Sequence, residues 1–196
     1  MDDNSEIAVS GQEVNNIQAD TVTVRYGTTG DVQAQTVYVS QAGAANIKAE
    51  TVELRQAGAQ RIQAETVTLK QGGVVQATAD NMSLVQGGVV YADTQSSHLT
   101  AARVGAVLAG GDVSLDLSGA KAVLARGDVA MDQTSVGLLA SRHVQVGANS
   151  NVVLMLAGRV DGEVNSVFGP KAGAAFGAAF AIVFAVILWL KRRFSV

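Results

Sequence analysis

Two pairs of aspartates, Asp112 with Asp128 and Asp116 with Asp132, recur at a spacing of 16 residues inside a duplicated run, Val107–Asp116 and Val123–Asp132. If each run is one turn of a stacked coil, the paired carboxylates stand about 5 Å apart. Like charges at that distance repel unless water or a cation lies between them. The Gly-Gly-x-Gly-x-Asp nonapeptide of calcium-binding solenoids is not present, and the next turn puts His143 and Gly147 in these columns. The aspartates therefore read as solvated corners. His98 and His143 have no neighbour in sequence that would make a ligand set or a nucleophile–base pair. No Gly-x-Ser-x-Gly elbow or phosphate loop occurs, and the absence of cysteine excludes thiolate chemistry. Arg126-Gly127-Asp128 spells an adhesion tripeptide, but the equivalent stretch one turn earlier is Gly-Gly-Asp, so it reads as a corner variant. No catalytic, cofactor-binding or metal-ligating residue is expected.

The elements that carry these residues announce themselves by repetition. At a spacing of 15, Ile17, Val32, Ile47, Ile62 and Ala77 form one column, with Ala19, Ala34, Ala49, Ala64 and Ala79 two places on. Val22, Val37, Val52, Val67 and Met82 form another, followed by Val24, Val39, Leu54, Leu69 and Leu84. Apolar residues at i and i+2 with so short a period predict a β-solenoid in which each repeat is one turn. Inward pairs fall five residues apart (Val52/Leu54, Ala57/Ala59, Ile62/Ala64), so each turn should have three short strands and a triangular section. The side lined by Ala42/Ala44, Ala57/Ala59, Gly72/Val74 and Gly87/Val89 has the smallest residues.

Polar columns, Thr21, Thr36, Thr51, Thr66 and Gln41, Gln56, Gln71, Gln86, are expected to hydrogen-bond up the stack. The repeat weakens over residues 92–105, where Ala92, Thr94, Ser97 and Leu99 hold the inward places. It resumes with one extra corner residue and continues through Leu138, Ala140, Val144 and Val146, with Met155, Ala157 and Val160 in the last turns.

Composition agrees with a narrow core. All five Phe and the single Trp lie beyond residue 167, leaving Tyr26, Tyr38 and Tyr91 as the only aromatics before it. Proline occurs once, at Pro170, and the 21 glycines are expected at corners, where positive φ is often required. Residues 1–170 hold all 17 acidic side chains and 10 of the 14 basic ones, a net of −7, which argues against nucleic acid as a partner.

Ala172–Leu190 is a run of 19 residues without charge. As a helix it would span about 28 Å, close to a bilayer core of about 30 Å. Lys171 on one side and Trp189, Lys191, Arg192 and Arg193 on the other are the residues expected at membrane interfaces. Gly173 and Gly177, extended by Ala181 and Ala185, form a small-residue face suited to helix–helix packing in lipid. The chain thus divides into a polar segment (1–12, expected to be loosely attached), a β-solenoid (13–168), a hinge (169–171), a transmembrane helix (172–190) and a basic tail (191–196). The fold class expected is all-β, a single parallel β-solenoid of 15–16 residues per turn, followed by one C-terminal transmembrane α-helix.

The turns Leu108–Val113 and Leu124–Val129, with their Gly-Asp-Val triplets, and the Gly158–Val164 stretch resemble the turns of bactofilins. The Ala-Glu-Thr-Val turns at 49–54 and 64–69 are similar too. The resemblance spans much of residues 13–165 and implies a nucleotide-free, polymerising β-helix used as a membrane-linked bacterial scaffold. This chain differs in its shorter turn and in its apolar C-terminal stretch.

The function expected is a membrane-anchored structural protein, not an enzyme, whose partners are membrane lipid and further copies of itself, with no cofactor. The alternative is a surface-exposed binding module that presents the flat faces of the solenoid. The expected location is a bacterial cytoplasmic membrane. Residues 1–12 lack the basic and apolar regions of a secretory signal, while the positive-inside rule puts the C-terminus in the cytoplasm. These two readings leave open the side on which the solenoid stands.

Overall fold

The computed structural model describes residues 5–11, 13–162 and 165–166. Its strands, in chain order, are β1 (Glu6–Ser10), β2 (Glu13–Gln18), β3 (Thr21–Gln33), β4 (Thr36–Lys48), β5 (Thr51–Arg55), β6 (Gly58–Thr100), β7 (Arg103–Ala109), β8 (Val113–Asp116), β9 (Gly119–Ala125), β10 (Asp128–Asp132), β11 (Ser135–Val146), β12 (Asn151–Gly162) and β13 (Asn165–Ser166). They form a parallel β-solenoid of about 10 turns, which at about 4.8 Å per layer is roughly 50 Å long. The longest strand, β6, covers 43 residues because it runs on around the corners.

The register follows the repeat. Val22 pairs with Val37, Val37 with Val52 and Val52 with Val67, each 15 residues apart. Ser97 pairs with Val113 and Val113 with Val129, each 16 apart. The extra residue enters between Ala109, still 15 from Thr94, and Val113, at the corner holding Gly110 and Gly111. At the 141–142 corner it is lost again, since Asp128 pairs with His143 at 15. It returns after Val146, because Ser135 pairs with Asn151 at 16.

Inward residues are Val52 and Leu54 on the first side of a turn, Ala57 and Ala59 on the second and Ile62 on the third, all buried. The interior is too narrow for anything larger than Leu, Ile and Met, which explains why aromatics are kept out. Where Leu69 and Leu84 extend across it, the facing positions are Gly72 and Gly87. A Cβ at Gly87 would run into the Gly72 carbonyl oxygen of the turn below and stand 2.9 Å from the Leu84 side chain.

Each turn contains one residue in the left-handed region: Tyr26, Gln41, Gln56, Gln71, Gln86, Ala101, Leu117, Gln133 and Asn149, with φ between 47 and 57°. Among the described residues glycine takes this corner only at Gly11, with φ of 70° one turn before Tyr26, so the expected use of glycine at corners holds for few of them. The glutamine side chains carry an amide ladder instead. Gln41 donates to Gln56 at 3.0 Å, Gln56 to Gln71 at 3.2 Å and Gln71 to Gln86 at 3.1 Å. The threonine column shows no such ladder among the described residues, so that expectation is corrected. Parallel stacking keeps those hydroxyls in line without turning them toward one another.

Three further readings change. The solenoid starts before residue 13, because Glu6–Ser10 already pairs with Thr21–Arg25. Leu138 and Ala140 are not the inward pair. Leu139 pairs with Val123 and is fully buried, and Leu138 is half-buried on the outer face. Val160 continues the inward Val144 column but is 38 % exposed, at the end of the described coil. The weak stretch, by contrast, is well packed. Ala92, Thr94, Ser97 and Leu99 are all buried, and the Thr94 and Ser97 hydroxyls meet at 2.6 Å.

Candidate functional site

The duplicated aspartates lie at two corner columns: Asp116 pairs with Asp132 where β8 and β10 end, and Asp112 and Asp128 stand where these strands begin. Asp112 Oδ1 accepts the backbone N–H of Asp128 at 2.8 Å, so this carboxylate shapes the start of β10 rather than facing its counterpart. One turn on, His143 on β11 takes the next place, with Asp128 Oδ2 3.4 Å from its Nδ1 and Asp161 Oδ2, on β12, 2.8 Å from its Nε2. Arg159 Nε donates to the other Asp161 oxygen at 3.3 Å. His143 is therefore not isolated. The hydrogen bond to Asp161 raises its pKa above the ordinary histidine value, partial burial opposes this, and Asp128 adds to the rise. The same bond, helped by Arg159, holds the Asp161 carboxyl below its ordinary value.

This arrangement binds a proton and ties three turns together. Among the described residues no group of three or more His, Cys, Asp and Glu stands close enough to hold a metal ion. A second charged cluster, on the same side of the coil near the other end, joins Glu53 to Arg55 at 2.7 Å and to Lys70 at 3.5 Å. The Arg55 hydrogen bond keeps Glu53 below the usual carboxylate range. Arg126-Gly127-Asp128 turns the corner between β9 and β10, as the sequence reading expects.

Between these clusters the outer surface of the first side is a shallow depression lined by Thr66, Thr68, Asn81, Ser83, His98 and Ser114, with Ala130 among its apolar residues. His98 stands 3.3 Å from the Thr100 hydroxyl. The second side presents stacked glycines, Gly43, Gly58, Gly73 and Gly88, with exposed Val75 and Val90 beside them.

The third side changes character along the rod. In its first half the outward residues form a polar ladder. Asn46 donates to Asp31 at 2.6 Å, and Arg61 donates to Asn46 at 3.2 Å and to Gln76 at 3.4 Å. In its second half the same columns become apolar. Tyr91, Ala106, Ala122, Leu138 and Leu154 succeed one another in one column, and Leu108, Leu124, Ala140 and Leu156 in its neighbour. Leu124, Leu154 and Leu156 are 40, 52 and 63 % exposed. The sequence reading missed this face because it followed only the inward columns; the outward apolar residues lie in the same register.

A buried hydroxyl column was also missed. Ser118, Thr134 and Ser150 replace the alanine or glycine that follows the left-handed corner. The Ser118 hydroxyl lies 2.7 Å from the Asp116 carbonyl oxygen and receives the Ala102 N–H at 3.1 Å. Thr134 donates to the carbonyl oxygen of Asp132 at 2.8 Å.

The residues singled out for membrane packing (Gly173, Gly177, Ala181, Ala185) and for the interface (Lys171, Trp189, Lys191, Arg192, Arg193) lie outside the described residues. No helix among the described residues is long and apolar enough to cross a membrane. No family model matches this chain, and neither a curated protein nor a solved structure matches it.

Proposed function

We propose that this chain is a membrane-anchored structural protein whose rigid β-solenoid serves as a self-associating scaffold. The observation that carries this reading is the continuous parallel stack from Glu6 to Gly162, with its interior filled by small aliphatic side chains. Such a stack is stiff, because each turn is held by the ladders above and below it. Its inward column is exposed at both described ends, Ile7 at 37 % and Val160 at 38 %. Exposed apolar residues beside unpaired strand edges favour stacking on another copy. The resemblance to bactofilins points the same way, and Ala172–Leu190 supplies the anchor. Light scattering on the detergent-solubilised chain tests self-association: masses above the 20.1 kDa monomer are expected. A monomer at every concentration would sink the scaffold reading.

A second reading has one specific observation in its favour. The depression from Thr66 to Ser114 offers regularly spaced hydroxyls, an amide and an imidazole among apolar groups on one flat face, as a carbohydrate-binding surface would. Under this reading Ser83→Lys and Thr68→Lys abolish retention on a polysaccharide matrix that binds the unaltered chain. Unchanged retention removes the face from consideration.

A further inference from the structure

The apolar half of the third side calls for a covering surface. It is flat, built from Leu108, Leu124, Leu138, Leu154 and Leu156 with alanines between, and bounded toward the N-terminus by Asp93 in the Leu108 column. Both of its edges are cationic. Lys121 is exposed at the corner before it, and Arg126 and Arg142 are exposed at the corner after it. None of the three enters an ion pair among the described residues. The carboxylate on the face itself is Asp93, at its N-terminal boundary beside Leu108; the others belong to the adjoining side, where Asp112 accepts the Asp128 N–H and Asp128 faces His143.

We propose that this face lies on an anionic lipid bilayer, with the leucines against the acyl boundary and Lys121, Arg126 and Arg142 among the headgroups. Three observations favour lipid over a second copy. First, the face spans four turns by one strand, roughly 300 Å² by layer and residue spacings, whereas a stable dimer needs about 800 Å² per partner. Second, pairing two such faces brings rims of like charge together, while anionic headgroups complement them. Third, the apolar columns are confined to the turns nearest Ala172, which begins ten residues after Gly162. This point rests on the anchored reading above: a tether that short keeps the lipid at high effective concentration, so a small face suffices.

The chain has no cysteine, so single labels are clean. Leu124→Cys and Leu156→Cys probe the face, and Ser83→Cys probes the polar side. Each full-length variant carries an environment-sensitive fluorophore and is reconstituted into vesicles of phosphatidylcholine, with or without phosphatidylglycerol. In the anionic vesicles, iodide quenching at Leu124→Cys and Leu156→Cys is expected to be about threefold weaker than at Ser83→Cys. Reversing Lys121, Arg126 and Arg142 to Glu should remove the difference while leaving the β-sheet circular dichroism intact.

Equal quenching on both sides overturns the proposal. Shielding that survives charge reversal, or that persists in detergent and rises with protein concentration, assigns the face to a second copy and overturns it too. Flotation after alkaline carbonate washing tests the anchor separately. A chain that floats with exposed labels keeps the anchor and loses the face. A chain that does not insert, but is shielded when anionic vesicles are added, keeps the face and loses the anchor.

Discussion

Thr134 shows how much depends on single side chains in so narrow a coil. Its hydroxyl satisfies the Asp132 carbonyl at a left-handed corner and is buried with it. Thr134→Val keeps the shape and removes the donor, so it should destabilise the protein by about 1–3 kcal/mol, the cost of an unsatisfied buried acceptor. Urea denaturation checks this, and the same substitution at the exposed Thr66 should be nearly silent. Val52→Asp is a harsher case, since Val52 is fully buried and no cation reaches it. An uncompensated carboxylate there should cost several kcal/mol, on the order of 3–5. A Val52→Asp protein with unchanged denaturation would contradict the inward assignment. Gly87 presents the opposite constraint: Gly87→Ala drives a methyl against the Gly72 carbonyl oxygen and the Leu84 side chain and should cost about 1–3 kcal/mol.

At the scale of strands and corners, His143 couples β10, β11 and β12. Its folded pKa is raised above the ordinary 6.5, so its contribution is complete below that value and is lost as pH rises through the raised pKa. Asp161 is lowered from the ordinary 3.8, so its contribution is present above that value and is lost as pH falls through the lowered pKa. The last turn should therefore be best protected between pH 3.8 and 6.5. Amide exchange of Arg159–Gly162, corrected for intrinsic rates, should quicken between about pH 5 and about pH 8, and His143→Gln should flatten the dependence.

The sequence did not reveal this cluster. The partners of His143 lie 15 and 18 residues away, and they align only once the corner at 141–142 is known to be one residue shorter. The adjacent leucines at 138 and 139 left the same ambiguity, because either satisfies an apolar column until the register is counted. Glu6–Ser10 was legible but passed over: Ile7 and Val9 stand 15 residues before Val22 and Val24, and the polar residues around them hid the pair. The four apolar 15-residue columns were legible because a one-residue slip would expose every inward side chain, so selection for the core writes its period into the chain. The left-handed corners were not legible. Glutamine is no signature of positive φ, and its place there is secured by the amide ladder, which forms only between turns.

For the whole molecule, the proposed scaffold role requires surfaces that would join copies. Charge argues against broad side-to-side packing of the rods, because residues 1–170 carry a net of −7. The described ends, where Ile7 and Val160 are exposed, and the proposed anchor, Ala172–Leu190, are the better candidates. In lipid no hydrophobic effect draws helices together, so association depends on close backbone approach across small residues. Gly173 and Gly177, with Ala181 and Ala185 at the same spacing of four, offer such a strip. Gly173→Leu combined with Gly177→Leu should raise the dissociation constant about tenfold, matching the loss of roughly 1.4 kcal/mol of packing. Analytical ultracentrifugation in detergent micelles measures it. Ile7→Lys, at the exposed place of the first described turn, serves as the comparison, because it charges that end and leaves Ala172–Leu190 untouched. If the glycine pair is neutral and Ile7→Lys dissociates the assembly, the rods meet at their ends and Ala172–Leu190 only holds them in the same membrane.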